Sequence, residues 1–201
     1  MRLANERYEE IKRIVAEFFE DYQISSLPIN IFEIAIKMEA KIIFASELIR
    51  ENPNKKLEYR THKFPNSFTF FTEHDQRFFI YIDDIGTTAK RQRFSLAHEI
   101  AHIILNHREQ SPQNEAEANF AATYILAPTS LALIVPKKQW ESVNTVSRYF
   151  NVSKSEAEII RRRFEKRRSL KQLKERGYEK SINELLKDSV FKKVKDPPEQ
   201  K

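Results

Sequence analysis

Strand-forming sequence in this chain of 201 residues is confined to one short region, and everything on either side of it carries helical spacing. Residues 66–72 (NSFTFFT) and 77–82 (RFFIYI) are dense in aromatic and β-branched side chains and are separated only by Glu73, His74, Asp75 and Gln76. That pattern predicts a β-hairpin. One further compact apolar run, residues 41–45 (KIIFA), suits a buried strand. Upstream, Tyr8, Ile11, Ile14, Val15, Phe18 and Phe19 mark an amphipathic helix over residues 5–22. Residues 27–30 then break the chain, and Asn30 is suited to cap a short helix over 31–38. Downstream the spacing predicts helices over 89–107 (capped by Thr87 or Thr88), 114–127 (ended by Pro128), 129–135, 142–150 and 153–168. A three-stranded, mostly antiparallel sheet covered by helices is therefore expected, which is an α+β fold.

Composition narrows the chemistry. With no cysteine, the chain has no disulfides, no thiolate nucleophile and no cysteine-ligated metal. Two glycines are too few for a glycine-rich phosphate loop. A metal would have to be held by carboxylates and the five histidines, His62, His74, His98, His102 and His107. His62 and His74 fall in loops and read as exposed. No apolar run approaches the ~20 residues of a membrane span, and the first residues lack an apolar signal core. A cytoplasmic protein is expected.

Three of the histidines fall within ten residues, in the sequence His98-Glu99-Ile100-Ala101-His102 followed by His107. On a helix, His98 and His102 are four apart and project from one face, where two imidazoles can hold one zinc ion. Glu99, beside the first ligand, is placed to take the proton of a zinc-bound water as it attacks a carbonyl. A catalytic zinc needs a third protein ligand and an open position. The candidates are His107, Glu109, Glu115 and Glu117. In a helix continuing to 107, His107 lies about 500° round from His102, off the ligand face. Glu115 and Asn119 share a stripe on the next helix, whose Ala118, Ala121 and Ala122 permit close approach. Glu115 then completes the set, and Asn119 hydrogen-bonds a ligand histidine. Glu117, about 200° away, is expected to face solvent or Arg108, although Glu115 versus Glu117 stays open on spacing alone.

Two segments together, residues 91–107 (RQRFSLAHEIAHIILNH) and 115–128 (EAEANFAATYILAP), resemble the ImmA/IrrE family of metallo-endopeptidases. The upstream helix, the Pro-Ile-Asn entry and the hairpin are also similar, so the likeness spans about residues 25–165. The resemblance implies a zincin-like fold and a gluzincin-like zinc hydrolase. His98, His102 and Glu115 would be its ligands, Glu99 the general base and Asn119 a supporting residue. It implies a protein substrate, a helix-turn-helix transcriptional repressor. Ala127 stands where the family usually shows Met, a packing position.

The expected division is a zincin-like domain over 1–136, a helix-turn-helix-like subdomain over 137–168 and a basic helical or disordered tail over 169–201. Residues 161–201 hold 15 Lys/Arg against 7 Asp/Glu, whereas residues 1–160 hold 20 against 22. A basic arm after a helix pair permits direct DNA binding, but helix pairs with solvated charge are commoner as packing units. The competing functional reading is a non-proteolytic anti-repressor, or a toxin–antitoxin-like binding protein, with a structural zinc.

Overall fold

The computed structural model describes residues 3–51, 66–169 and 175–195. Among them the order is α1 (Asn5–Asp21), α2 (Ile31–Lys37), β1 (Lys41–Phe44), α3 (Ala45–Glu51), β2 (Ser67–Thr72) and β3 (Arg77–Ile82). There follow α4 (Ala89–Ile104), α5 (Pro112–Leu126), 3₁₀ turns at Thr129–Leu133 and Lys137–Gln139, α6 (Val143–Phe150), α7 (Lys154–Ser169) and α8 (Gly177–Lys195). The fold is α+β.

The sheet is mixed rather than mostly antiparallel. Its strand order is β1-β3-β2. The hairpin pairs β2 with β3 antiparallel from Ser67–Ile82 to Thr72–Arg77. β1 joins the other edge of β3 in parallel, Lys41 opposite Phe79 through Phe44 opposite Ile82. The reason is the connection: β1 passes into α3 instead of turning back, and a strand that reaches β3 by a crossover runs the same way. Ala45, expected at the end of the strand, is thus the first residue of a helix that runs to Glu51; His62 lies outside the described residues.

Local signals set the helix starts. Asn30 accepts from the Glu33 amide, Thr88 from that of Arg91 and Ser111 from that of Asn114. Ser142 and Thr145 form a reciprocal capping box on α6. α4 packs most extensively on α5, and β2 and β3 lie along its flank. The contact between α4 and α5 is close because Ala97 and Ala101 on one helix and Ala118, Ala121 and Ala122 on the other are small and fully buried. α5 is apolar nearly all round after Glu117, as a central helix must be.

One buried apolar cluster runs from α1 to α8. Ile182, Leu186 and Val190 of α8 are buried in it, and α8 packs on α1. A buried pair, Arg167 with Glu179 at 2.6 Å, ties α7 to α8. α6 and α7 close on each other around Phe150, Phe164 and Trp140, whose rings meet edge to face at 5.8 Å. No described helix is long and apolar enough to cross a membrane.

Candidate metal centre

His98 and His102 stand one turn apart on α4, and α5 brings Glu115 across from them. His98 Nε2 lies 3.1 Å from His102 Nε2 and 3.3 Å from Glu115 Oε2; His102 Nε2 lies 3.5 Å from Glu115 Oε1. Among the described residues these three form the group able to hold a metal ion. Tetrahedral bonds of ~2.0–2.1 Å put neighbouring donors roughly 3.4 Å apart, so the three separations fit a small tetrahedral ion held by nitrogen and oxygen. Burial lowers the His98 pKa against the pull of Glu115 and Asn119, and burial together with the neighbouring His98 lowers that of His102. Both shifts favour the neutral ring, the form in which imidazole ligates.

Glu99 points to a different neighbour. It is 4% exposed, and its Oε2 accepts from the Thr69 hydroxyl of β2 at 2.8 Å. Burial raises its pKa, opposed by hydrogen bonds from Ser67 and Thr69 and by His102. That shift moves a carboxyl toward the range in which it exchanges protons readily. Glu99 shares with His98, His102 and Glu115 the wall of a cleft of about 1080 Å³, and β2 supplies the opposite wall. β2 is an edge strand. Its Phe70 and Phe71 are exposed at 41% and 48%, so this part of the aromatic hairpin is surface.

Asn119 sits where the stripe on α5 predicts, but its Nδ2 donates to the Glu115 carbonyl at 2.7 Å. Its side chain also acts on His98 through a hydrogen bond that raises the pKa of that ring.

Two residues fall elsewhere than spacing suggested. Glu117 does not face solvent or Arg108: it is 2% exposed and pairs with Arg7 of α1. His107 does not point away from the ligands: its Nδ1 lies 3.0 Å from His102 Nδ1, and its Nε2 lies 3.2 Å from Glu117 Oε2. The cause is helix termination. α4 ends at Ile104, and Asn106 turns left-handed at φ 52°. The His107 amide then bonds back to the His102 carbonyl and the Asn106 amide to that of Ile103, a Schellman closure that folds the His107 ring onto His102. An asparagine directly before the histidine was the available sequence signal for that turn. His74 is exposed in the hairpin turn, Glu109 is exposed, and Tyr124 is fully buried away from the cleft.

Two histidines and a glutamate thus converge on one point, with a buried carboxylate beside them in the wall of an open cleft, on an α+β scaffold. The family model of the IrrE N-terminal-like domain, a peptidase family, matches residues 57–160. The chain belongs to that metallopeptidase family, whose members act on protein substrates through a metal cofactor. No curated protein matches the chain.

Proposed function

We propose that this chain is a cytoplasmic zinc endopeptidase, with His98, His102 and Glu115 as ligands, Glu99 as general base and a helix-turn-helix repressor as substrate. The observation that carries the reading is the convergence of three nitrogen and oxygen donors at tetrahedral spacing beside the buried Glu99 carboxylate. Donors of this type and spacing suit zinc better than magnesium or calcium, which favour all-oxygen sites with more ligands. Bound there, zinc would act as a Lewis acid, polarising the scissile carbonyl and acidifying water.

The chain's own residues supply the rest. Thr69 holds Glu99 by its Oε2. Glu99 accepts a proton from water as the water oxygen attacks the carbonyl carbon, then returns it to the amide nitrogen as the C–N bond breaks. The outer edge of β2, unpaired among the described residues, offers backbone groups to an extended peptide, so the substrate adds as a strand beside α4 with Phe70 and Phe71 available to its side chains. The repressor as substrate comes from the sequence resemblance. Direct DNA reading by the last helices is disfavoured by their packing: Arg163 lies over the Phe120 ring at 4.7 Å, and Arg167 is buried against Glu179.

The test is incubation of the zinc-loaded protein with helix-turn-helix repressors from the same organism, followed by mass spectrometry of the products. Wild type cleaves one of them, and Glu99→Gln binds zinc without cleaving. Equal loss of repressor function with wild type and Glu99→Gln, and no new termini, would mean that the chain acts by sequestration.

A further inference from the structure

We propose that His107, Glu117 and Arg7 form a positioning relay that decides which nitrogen of His102 faces the metal, tying helix α1 to the metal centre. This rests on His102 being a ligand, as proposed above.

The contacts run in one line. His102 presents Nε2 toward His98 and Glu115. Its other nitrogen, Nδ1, lies 3.0 Å from His107 Nδ1, and His107 Nε2 lies 3.2 Å from Glu117 Oε2. Glu117 also takes the Arg7 guanidinium on Oε2 and the Gln113 amide on Oε1 at 3.0 Å. The side chains of His107 and Glu117 are 6% and 2% exposed, so water has little access to substitute for any link.

With neutral rings, only one arrangement of protons satisfies this line. A carboxylate only accepts, so His107 Nε2 carries a hydrogen and donates it to Glu117. His107 Nδ1 is then a bare lone pair and accepts from His102 Nδ1–H. His102 Nε2 is left as a lone pair aimed at the metal position. The reverse order would set a lone pair of His107 against a carboxylate and put a proton on the nitrogen that must ligate. Metal-binding histidines are commonly oriented by a carboxylate on the far ring nitrogen; here a second imidazole is inserted between the two.

The parts come from separate elements. The left-handed Asn106 brings His107 into line, α5 supplies Glu117, and α1 supplies the cation that makes a buried carboxylate tolerable. Arg7 lies outside the residues matched by the family model, so this end of the relay belongs to the chain's own N-terminal helix. The support of His98 is of a different kind, since the Asn119 side chain acts on it and no imidazole and carboxylate stand in line behind it.

The experiment is long-range ¹⁵N NMR of histidine-labelled, zinc-free protein at about pH 8, above the ordinary imidazole range, with zinc affinity by chelator competition. In wild type, His102 is expected as the Nδ1–H tautomer before any zinc is added, against the Nε2–H form that free imidazole favours. Glu117→Gln is expected to move it toward Nε2–H, and Glu117→Gln and His107→Phe to weaken zinc binding about 10- to 100-fold. Wild-type His102 found as Nε2–H, or both variants binding zinc as tightly as wild type, would overturn the relay. If His107→Phe does not fold, the wild-type and Glu117→Gln spectra decide. An Nδ1–H His102 in a protein that binds no zinc would uphold the proton order and refute the ligand reading instead.

Discussion

Acid should dismantle the Glu117 network only after ordinary surface carboxylates have been protonated, and the size of the effect follows from the contacts. Burial pushes the Glu117 carboxyl up, but hydrogen bonds from Arg7, Gln113 and His107 and the Arg7 charge outweigh it and hold the pKa at about 2, against an ordinary 4.5. The folded value lies below the unfolded one, so the stability it confers is fully present above about pH 4.5 and is lost as pH falls through about 2. That difference corresponds to ~3 kcal/mol, at roughly 1.4 kcal/mol per pH unit. The assay is urea unfolding of zinc-free wild type and Glu117→Gln across a pH series, so that carboxylates common to both cancel. The gap in unfolding free energy is expected to be constant above about pH 5 and to narrow by ~3 kcal/mol on approaching pH 2. A gap that does not change with pH would show that Glu117 is not held charged by its partners, and the reasoning would fail.

Three further outcomes follow from single contacts. Thr69→Val removes the hydroxyl that bonds Glu99 at 2.8 Å while keeping the side chain's shape; zinc content is expected unchanged and kcat about tenfold lower, the low end for a bond to a charged group because Ser67 also acts on Glu99. Asn106→Val forces a β-branched residue to φ 52°, costing ~1–2 kcal/mol and weakening zinc binding through His107, whereas Asn106→Gly is tolerated; denaturation and chelator competition read both. Phe164→Ala empties a fully buried site between Trp140 and Phe150, and calorimetry is expected to show a loss of ~3–5 kcal/mol, lowering Tm by roughly 10 °C.

Those features that depend on local spacing were legible in the sequence. His98 and His102 share a helix, so their convergence needed only the period of that helix, and Glu115 followed from a short link and the small alanines of α5. The hairpin was readable from its aromatic strands, and Asn30 and Thr88 announced their helices as caps. What escaped depends on chain reversal and on distant partners. Three residues of difference at the end of α4 turned His107 from a residue pointing away into one set edge to face against His102, because a left-handed Asn106 abolishes the helical angle that gives its direction. Helical angle alone turns Glu117 toward solvent or Arg108, whereas the cation that it meets, Arg7, is 110 residues away on α1. The parallel pairing of β1 was equally hidden, since strand direction is decided by the path of the connection and not by the strand's own residues. Thr69 and Ser67 gave no signal beyond strand propensity; their role appears only once β2 lies against α4.

The central claim, that His98, His102 and Glu115 hold a zinc ion and Glu99 stands beside it without ligating, is tested most directly by the zinc-to-protein ratio after gel filtration of zinc-loaded wild type and single variants. One zinc per chain is expected in wild type and in Glu99→Gln, with loss of bound zinc in His98→Ala, His102→Ala and Glu115→Ala. A wild type that elutes without zinc, or a Glu115→Ala variant that retains a full equivalent, would contradict the account.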